Sequence, residues 1–155
     1  MIKLTENSFR DVNIALANEL SLICDDLDLN VWELIELANK HPRVDILKPG
    51  PGVGGHCIAV DPWFLVDSSP DYAQLILLAR KINDGKPEIV KKRALSLAKA
   101  HPEKRVICFG LSFKADIDDL RESPSKEIFD YLRRSLGERV IAIEPNLPVK
   151  SEDGI

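Results

Sequence analysis

Cysteine is scarce in this 155-residue chain: Cys24, Cys57 and Cys108 are odd in number and far apart. That excludes a disulfide framework and fits a reducing compartment, so a cytoplasmic protein is expected. No C-x-x-C pair occurs, and His41, His56 and His101 are scattered, so no metal site is expected. Apolar runs stay short of the roughly 20 residues that a membrane span needs. The opening Met1-Ile-Lys-Leu-Thr-Glu-Asn7 lacks the apolar core of a secretory leader. Positive charge is not in excess either: 21 Lys and Arg face 25 Asp and Glu, a net charge of −4. Nucleic acid is therefore not an expected partner. What remains is 45% hydrophobic and 30% charged, an ordinary globular composition, long enough for one domain with a core and part of another.

Glycine, by contrast, is concentrated. Gly50, Gly52, Gly54 and Gly55 fall within six residues, followed directly by His56 and Cys57 and then by Asp61. Glycine loses the most backbone freedom on folding, so such a cluster marks a sharp turn or a close approach. A thiol at the exit of that loop is a candidate nucleophile. Gly50, Gly52 and Gly55 also satisfy G-x-G-x-x-G, a pattern that binds dinucleotides only between a strand and a helix N-terminus. Here residues 41–49 contain two prolines and several charges, a poor buried strand, and Pro62 follows too closely for a helix starting at Gly55. The dinucleotide reading of this stretch is set aside on that context.

Elsewhere the pattern is mostly helical. Phe9, Val12, Leu16, Leu20, Ile23 and Leu27 step by three and four, which predicts a helix from Asn7 to about Leu27 with that stripe buried. Ile14 and Ala17 widen the stripe. Asn30 suits the N-cap of a second helix, Val31 to about Asn39, ended by His41-Pro42. Asp71 to Ala100 is helical by composition, with Asn83-Asp-Gly-Lys-Pro87 as a local break signal. Arg80, Lys81, Lys91, Lys92 and Arg93 read as its solvated face. Arg105 to Gly110 reads as a buried parallel strand, with Cys108 an inert core thiol. Ser123-Pro124 opens a helix in the N-cap/N1 pattern, and Val140 to Ile143 reads as a second strand.

Three stretches carry a resemblance. Gly-Pro-Gly-Val-Gly-Gly-His-Cys-Ile-Ala-Val-Asp-Pro-Trp-Phe64 resembles the active-site loop of the UDP-glucose/GDP-mannose dehydrogenase family. His56 before the cysteine and Asp-Pro-Trp after it are similar to the branch acting on UDP-N-acetyl-D-mannosamine. The glucose branch usually has Pro-Lys-Asp where this chain has Ala59-Val60-Asp61. Lys3-Leu-x-x-Asn7 resembles the start of the family's central helix. Phe113-Lys114-x-Asp116 with Asp118-Asp119-x-Arg121-Glu122-Ser123 resembles its C-terminal signature.

The resemblance implies a mainly α central domain, the family's helical dimerisation domain, over residues 1–100. It joins by one long helix, kinked near Asn83, to a partial α/β Rossmann-like domain over residues 101–155. It implies an NAD-dependent oxidation of the sugar C6 hydroxymethyl to a carboxylate. Cys57 would form a thiohemiacetal and then a thioester, Lys3 would stabilise oxyanions, and Asp61 with Asn7 would handle a water. Arg43, Lys48, Gly54, Gly55 and Lys114 would contact the UDP-sugar, Arg43 by reaching a neighbouring subunit, and Arg121 would approach NAD. It also implies a homodimer through the central helices and an N-terminal NAD-binding domain outside these residues, so that this fragment alone does not turn over substrate.

Beside this reading, and its variant of a related UDP-sugar dehydrogenase with another hexose, stand two others. The first is a non-catalytic dimerisation scaffold. The second is a thiol hydrolase on Cys57, which needs a partnered histidine that His41 and His101 are poorly placed to supply. His56 points the opposite way from its neighbour in an extended segment, which argues against it as the base.

Overall fold

The computed structural model describes residues 1–114 and 118–146. The expectations that fall on Asp116 and on 147–155 lie outside the described residues. Among the described residues the order is α1 (Ile2–Asp26), α2 (Val31–Ala38), α3 (Asp61–Ser68), α4 (Gln74–Ala100), β1 (Val106–Phe109), α5 (Pro124–Leu136), a 3-10 turn and β2 (Val140–Ile143).

Helix α1 starts at Ile2, five residues before the expected Asn7, so Lys3 and Asn7 lie one turn apart on it. Its buried face is not the apolar stripe. Asn7, Ser8, Asp11, Ala15, Ala17, Asn18 and Cys24 are buried, whereas Phe9, Leu16, Ile23 and Leu27 are exposed. Small residues let α4 approach closely, and polar ones bond to it. Asp11 Oδ1 pairs with Arg80 Nη1 at 2.6 Å, and Asn83 Nδ2 donates to the same oxygen at 2.8 Å. Asn18 Nδ2 donates to Asn83 Oδ1 at 2.9 Å. Arg80 is therefore 1% exposed, not part of a solvated face. Lys91 is also buried, held between Glu88 and Glu127 with its ammonium 5.3 Å from the Tyr131 ring centre. Both corrections have one cause. A long basic side chain can be buried when a carboxylate on another element meets it, and that partner is remote in sequence.

Asn30 caps α2 as expected, accepting from Trp32 N and Glu33 N. Helix α3 was not anticipated. Pro62 sits in its first turn, where a missing N–H costs nothing, and Asp61 opens it with the charge that suits a helix N-terminus. Helix α4 starts at Gln74, later than the expected Asp71, and runs through Gly85 and Pro87 without interruption. Burial offsets the proline penalty there, since Asn83, Lys86 and Pro87 are all buried against the rest of the fold.

Strands β1 and β2 pair in parallel, Val106 opposite Val140 through Phe109 opposite Ile143. Helix α5 makes the crossover, capped by Ser123, whose hydroxyl accepts from Lys126 N. Leu111, Ile128, Phe129, Leu132 and Val140 form the core here, with Val90, Ala94 and Leu95 of α4 packed against it. The second half of α4 thus serves this core while its first half serves α1. β1 is covered on one face only: Ile107 and Phe109 are exposed, contrary to the buried strand expected. Burial on both faces requires helices on both sides of a parallel sheet, and among the described residues only one side has them.

Candidate active site

Cys57 occupies a tight turn. Its carbonyl accepts from Val60 N at 3.1 Å and from Asp61 N at 2.8 Å, and the second of these bonds leads into α3. Of the three cysteines only Cys57 is exposed. Cys24 is buried, and Cys108 is half-buried against the core with its thiol pushed up by burial.

One turn on from the thiol, Asp61 is 7% exposed at the start of α3. Its Oδ2 accepts from Asn7 Nδ2 at 2.7 Å and lies 3.5 Å from Lys3 Nζ. Helix α1 presents both donors because Lys3 and Asn7 are four residues apart. Lys3, Asn7 and Asp61, 54 to 58 positions apart across the two helices, therefore converge beside the Cys57 turn. The Lys3 side chain is 69% exposed, leaving its other protons free for a ligand.

The loop between α2 and Cys57 lies along α1 and is tied down by asparagines. Asn13 donates to Asp45 O at 2.7 Å and accepts from Leu47 N at 2.9 Å. Asn39 does the same to both backbone groups of Ile46, at 2.9 and 2.8 Å. Asn18 accepts from Gly50 N at 2.8 Å. Arg43 and Lys48 are exposed on this loop. No hydrogen-bonding role for Asn13, Asn18, Asn39 or Asn83 was read from the sequence: Asn18 only continued the resemblance, and Asn83 marked the expected kink. The available signal was asparagine inside helices, where it competes with the backbone and normally needs a reason.

Gly54 and Gly55 meet the far side of the molecule. A Cβ on Gly54 would collide with the Glu122 carbonyl oxygen, and one on Gly55, whose φ is +85°, would lie 2.7 Å from the Phe113 ring. No strand precedes the G-x-G-x-x-G stretch and no helix starts at its end, as expected from context.

His56 Nε2 lies 4.0 Å from Asp119 Oδ2. Arg121 grips the same carboxylate with Nε and Nη2 at 2.9 and 2.7 Å, which holds it well below the usual carboxylate range. Arg121 itself is 70% exposed. Lys114 is exposed at the rim of a hollow of about 380 Å³ at the C-terminal ends of β1 and β2. Glu144 also lines that hollow and accepts from Leu111 N and Ser112 N at 2.6 and 3.0 Å. A wider cleft, about 670 Å³, runs from Trp63 past Arg80 and Asp84 to Lys126 and Asp130. It is not lined by Cys57, Lys3 or Asp61, so volume and chemistry do not coincide here. Among the described residues no cluster of three metal-ligating side chains occurs, and no helix is long and apolar enough to cross a membrane.

A helical unit that sets a turn-borne thiol beside a carboxylate, followed by a parallel β-α-β crossover, has known counterparts. Residues 1–85 match the central domain of the UDP-glucose/GDP-mannose dehydrogenase family, and residues 107–154 match its UDP binding domain. The chain belongs to the UDP-glucose/GDP-mannose dehydrogenase family. It is 60% identical to an NDP-N-acetyl-D-galactosaminuronic acid dehydrogenase of Ralstonia nicotianae over 96% of this chain and 35% of that protein. It is 58% identical to the UDP-N-acetyl-D-mannosamine dehydrogenase of Escherichia coli K12, over 95% of this chain and 37% of that one. The UDP-N-acetyl-mannosamine dehydrogenase of Staphylococcus aureus superposes with a TM-score of 0.83 at 48% identity, over 97% of this chain and 36% of that one. The chain thus spans little more than a third of the length of the curated relatives it matches.

Proposed function

We propose that this chain is the thiol-bearing and nucleotide-binding portion of an NAD-dependent nucleotide-sugar 6-dehydrogenase, acting on UDP-N-acetyl-D-mannosamine. The observation that carries the reading is the convergence of Lys3 and Asn7 on Asp61, one helical turn from an exposed Cys57. The sugar assignment is supported by His56 and Asp-Pro-Trp63 and by relatives named for N-acetylated hexosamines. Residues 1–100 would be the central dimerisation domain and 101–155 the start of a Rossmann-like domain.

Oxidising a hydroxymethyl group to a carboxylate removes two hydrides, and NAD supplies the acceptor when bound. The described residues do not build its cradle: the glycine motif lies in a loop, and the turn after β1 has only Gly110. Arg121 is the residue proposed to approach NAD. The steps proper to this chain are covalent. The Cys57 thiolate adds to the C6 aldehyde and holds it as a thiohemiacetal, then as a thioester after oxidation. Lys3 stabilises the oxyanion at each tetrahedral stage. Asp61, oriented by Asn7, takes a proton from the water that cleaves the thioester, which frees the acid and regenerates the thiol. Arg43, Lys48 and Lys114 contact the charged nucleotide, and Gly54 and Gly55 leave room for the sugar beside the thiol.

Alkylation of Cys57 by iodoacetamide tests this reading in the chain as it stands. UDP-N-acetyl-D-mannosamine at ten times its dissociation constant is expected to slow the reaction about tenfold. UDP-glucose should protect less. No protection by any UDP-sugar would sink the reading, and stronger protection by UDP-N-acetyl-D-galactosamine would reassign the sugar.

The second proposal, a homodimer through the central helices, has its own support. Phe9, Leu16 and Ile23 of α1 and Leu27 just after it are 47–69% exposed, and Leu75 and Leu78 of α4 are 64% and 56% exposed. Soluble chains rarely leave an apolar helix stripe of that extent in water.

A further inference from the structure

Two pieces of backbone distant in sequence touch just ahead of Cys57. On one side are Gly54 and Gly55. On the other are Phe113 and the turn that leads into α5. A Cβ added at Gly55 would sit 2.7, 2.9 and 3.2 Å from three atoms of the Phe113 ring. One added at Gly54 would lie 2.9 Å from Phe113 Cβ and 2.8 Å from Pro124 Cδ, and would overlap the Glu122 carbonyl oxygen. Glu122 has φ of +51°, the left-handed region that a side chain enters only when its surroundings hold it there. Phe113 N donates to Asp119 O at 3.2 Å, Ser123 N to Leu120 O at 3.3 Å, and the Ser123 hydroxyl donates to Leu111 O, so this side is internally braced. His56 adds a third contact across the same seam, to Asp119.

The geometry points to a clasp in which Phe113 is a positioning residue for the Cys57 turn. The ring fills the space that a side chain at Gly55 would take, while Phe113 Cβ, Pro124 Cδ and the Glu122 carbonyl close on Gly54, and together they fix the backbone from Gly54 to Cys57. That backbone in turn aims the carbonyl that accepts from Val60 and Asp61. Gly55 is then required as a socket for an aromatic ring, and Gly54 for the close approach of the Glu122 carbonyl. Lys114, the next residue after Phe113, is among those assigned to the nucleotide, so occupancy there and the placement of the thiol are linked through one rigid joint. This inference rests on the reading of Cys57 as the reacting thiol.

Hydrogen exchange on the 155-residue chain, without sugar or NAD, tests the clasp. Phe113→Ala is expected to accelerate exchange of the Val60 and Asp61 amides about tenfold, with α1 and α4 unchanged. Iodoacetamide labelling of Cys57 should rise with it while Cys24 stays protected. Phe113→Leu, which keeps part of the ring's volume, should restore most of the protection. Gly55→Ala attacks the socket from the opposite side and should give the same localised signature. Unchanged exchange at Val60 and Asp61 in both Phe113→Ala and Gly55→Ala would overturn the clasp. So would acceleration spread evenly over α1 and α4 with Cys24 unmasked, because the ring would then serve only the fold. Neither readout needs a ligand, so loss of the clasp leaves sugar protection of Cys57 intact as a separate result, and the reverse also holds.

Discussion

At the scale of single residues, Asp11 and Arg80 form the buried ion pair that ties α1 to α4. Both side chains are out of water, and the Asn83 side-chain amide donates to Asp11 Oδ1, the same carboxylate oxygen that Arg80 grips. Burial raises the Asp11 carboxyl, while the Arg80 guanidinium and the Asn83 amide pull it back down. Arg80→Met would fit the same space and leave an uncompensated carboxylate inside. The expected cost is about 3–5 kcal/mol, read as a lower midpoint in urea unfolding followed by circular dichroism. The double variant Arg80→Met, Asp11→Leu should recover most of it, because both charges are then gone. None of this was legible beforehand. Arg80 lies in a basic run, and its partner is 69 positions away. The thiol site was more readable, since Cys57 stands beside the glycines that announce it and Lys3 and Asn7 share a helical spacing. What spacing could not show was that Asp61 would be the residue they both reach.

Among elements, the join between β2 and the turn after β1 depends on one carboxylate. Glu144 lies at the end of β2 and accepts from Leu111 N and Ser112 N, which holds its carboxyl below its ordinary 4.5. The unfolded chain therefore binds a proton there more readily than the folded one. Stability from this group is present above 4.5 and drains away as pH falls through the folded-state value. The wild-type chain should lose more stability between pH 5 and pH 3 than Glu144→Gln, measured by urea midpoints across that range. Equal slopes would remove this group from the acid response. Elements defined by local chemistry were visible in the sequence: the Asn30 cap, Ser123-Pro124 opening α5, and the β-branched run of β2. Those whose state is set by neighbours were not. Helix α3 hides in a stretch too short and too proline-marked to show periodicity. The buried side of α1 reads as polar because its partner α4 is polar too, and a stripe of leucines gives no sign of whether protein or water lies beyond it.

Across the whole molecule, that outward stripe is an apolar surface that no other described element covers. Leu16→Glu places a charge at its centre, on a residue that is already exposed and lies on α1 more than two turns beyond Asn7. Light scattering should show a dimer for the wild-type chain and a monomer for this variant, with α-helical content unchanged. A monomeric wild-type chain would remove the homodimer proposal. The loop carrying Arg43 and Lys48 has a different character. Asn13, Asn18 and Asn39 grip only main-chain atoms of Asp45, Ile46, Leu47 and Gly50. A rail gripped by its main chain keeps its course whatever side chains it displays. The side chains at those positions are thus at liberty to change without rebuilding the frame beneath.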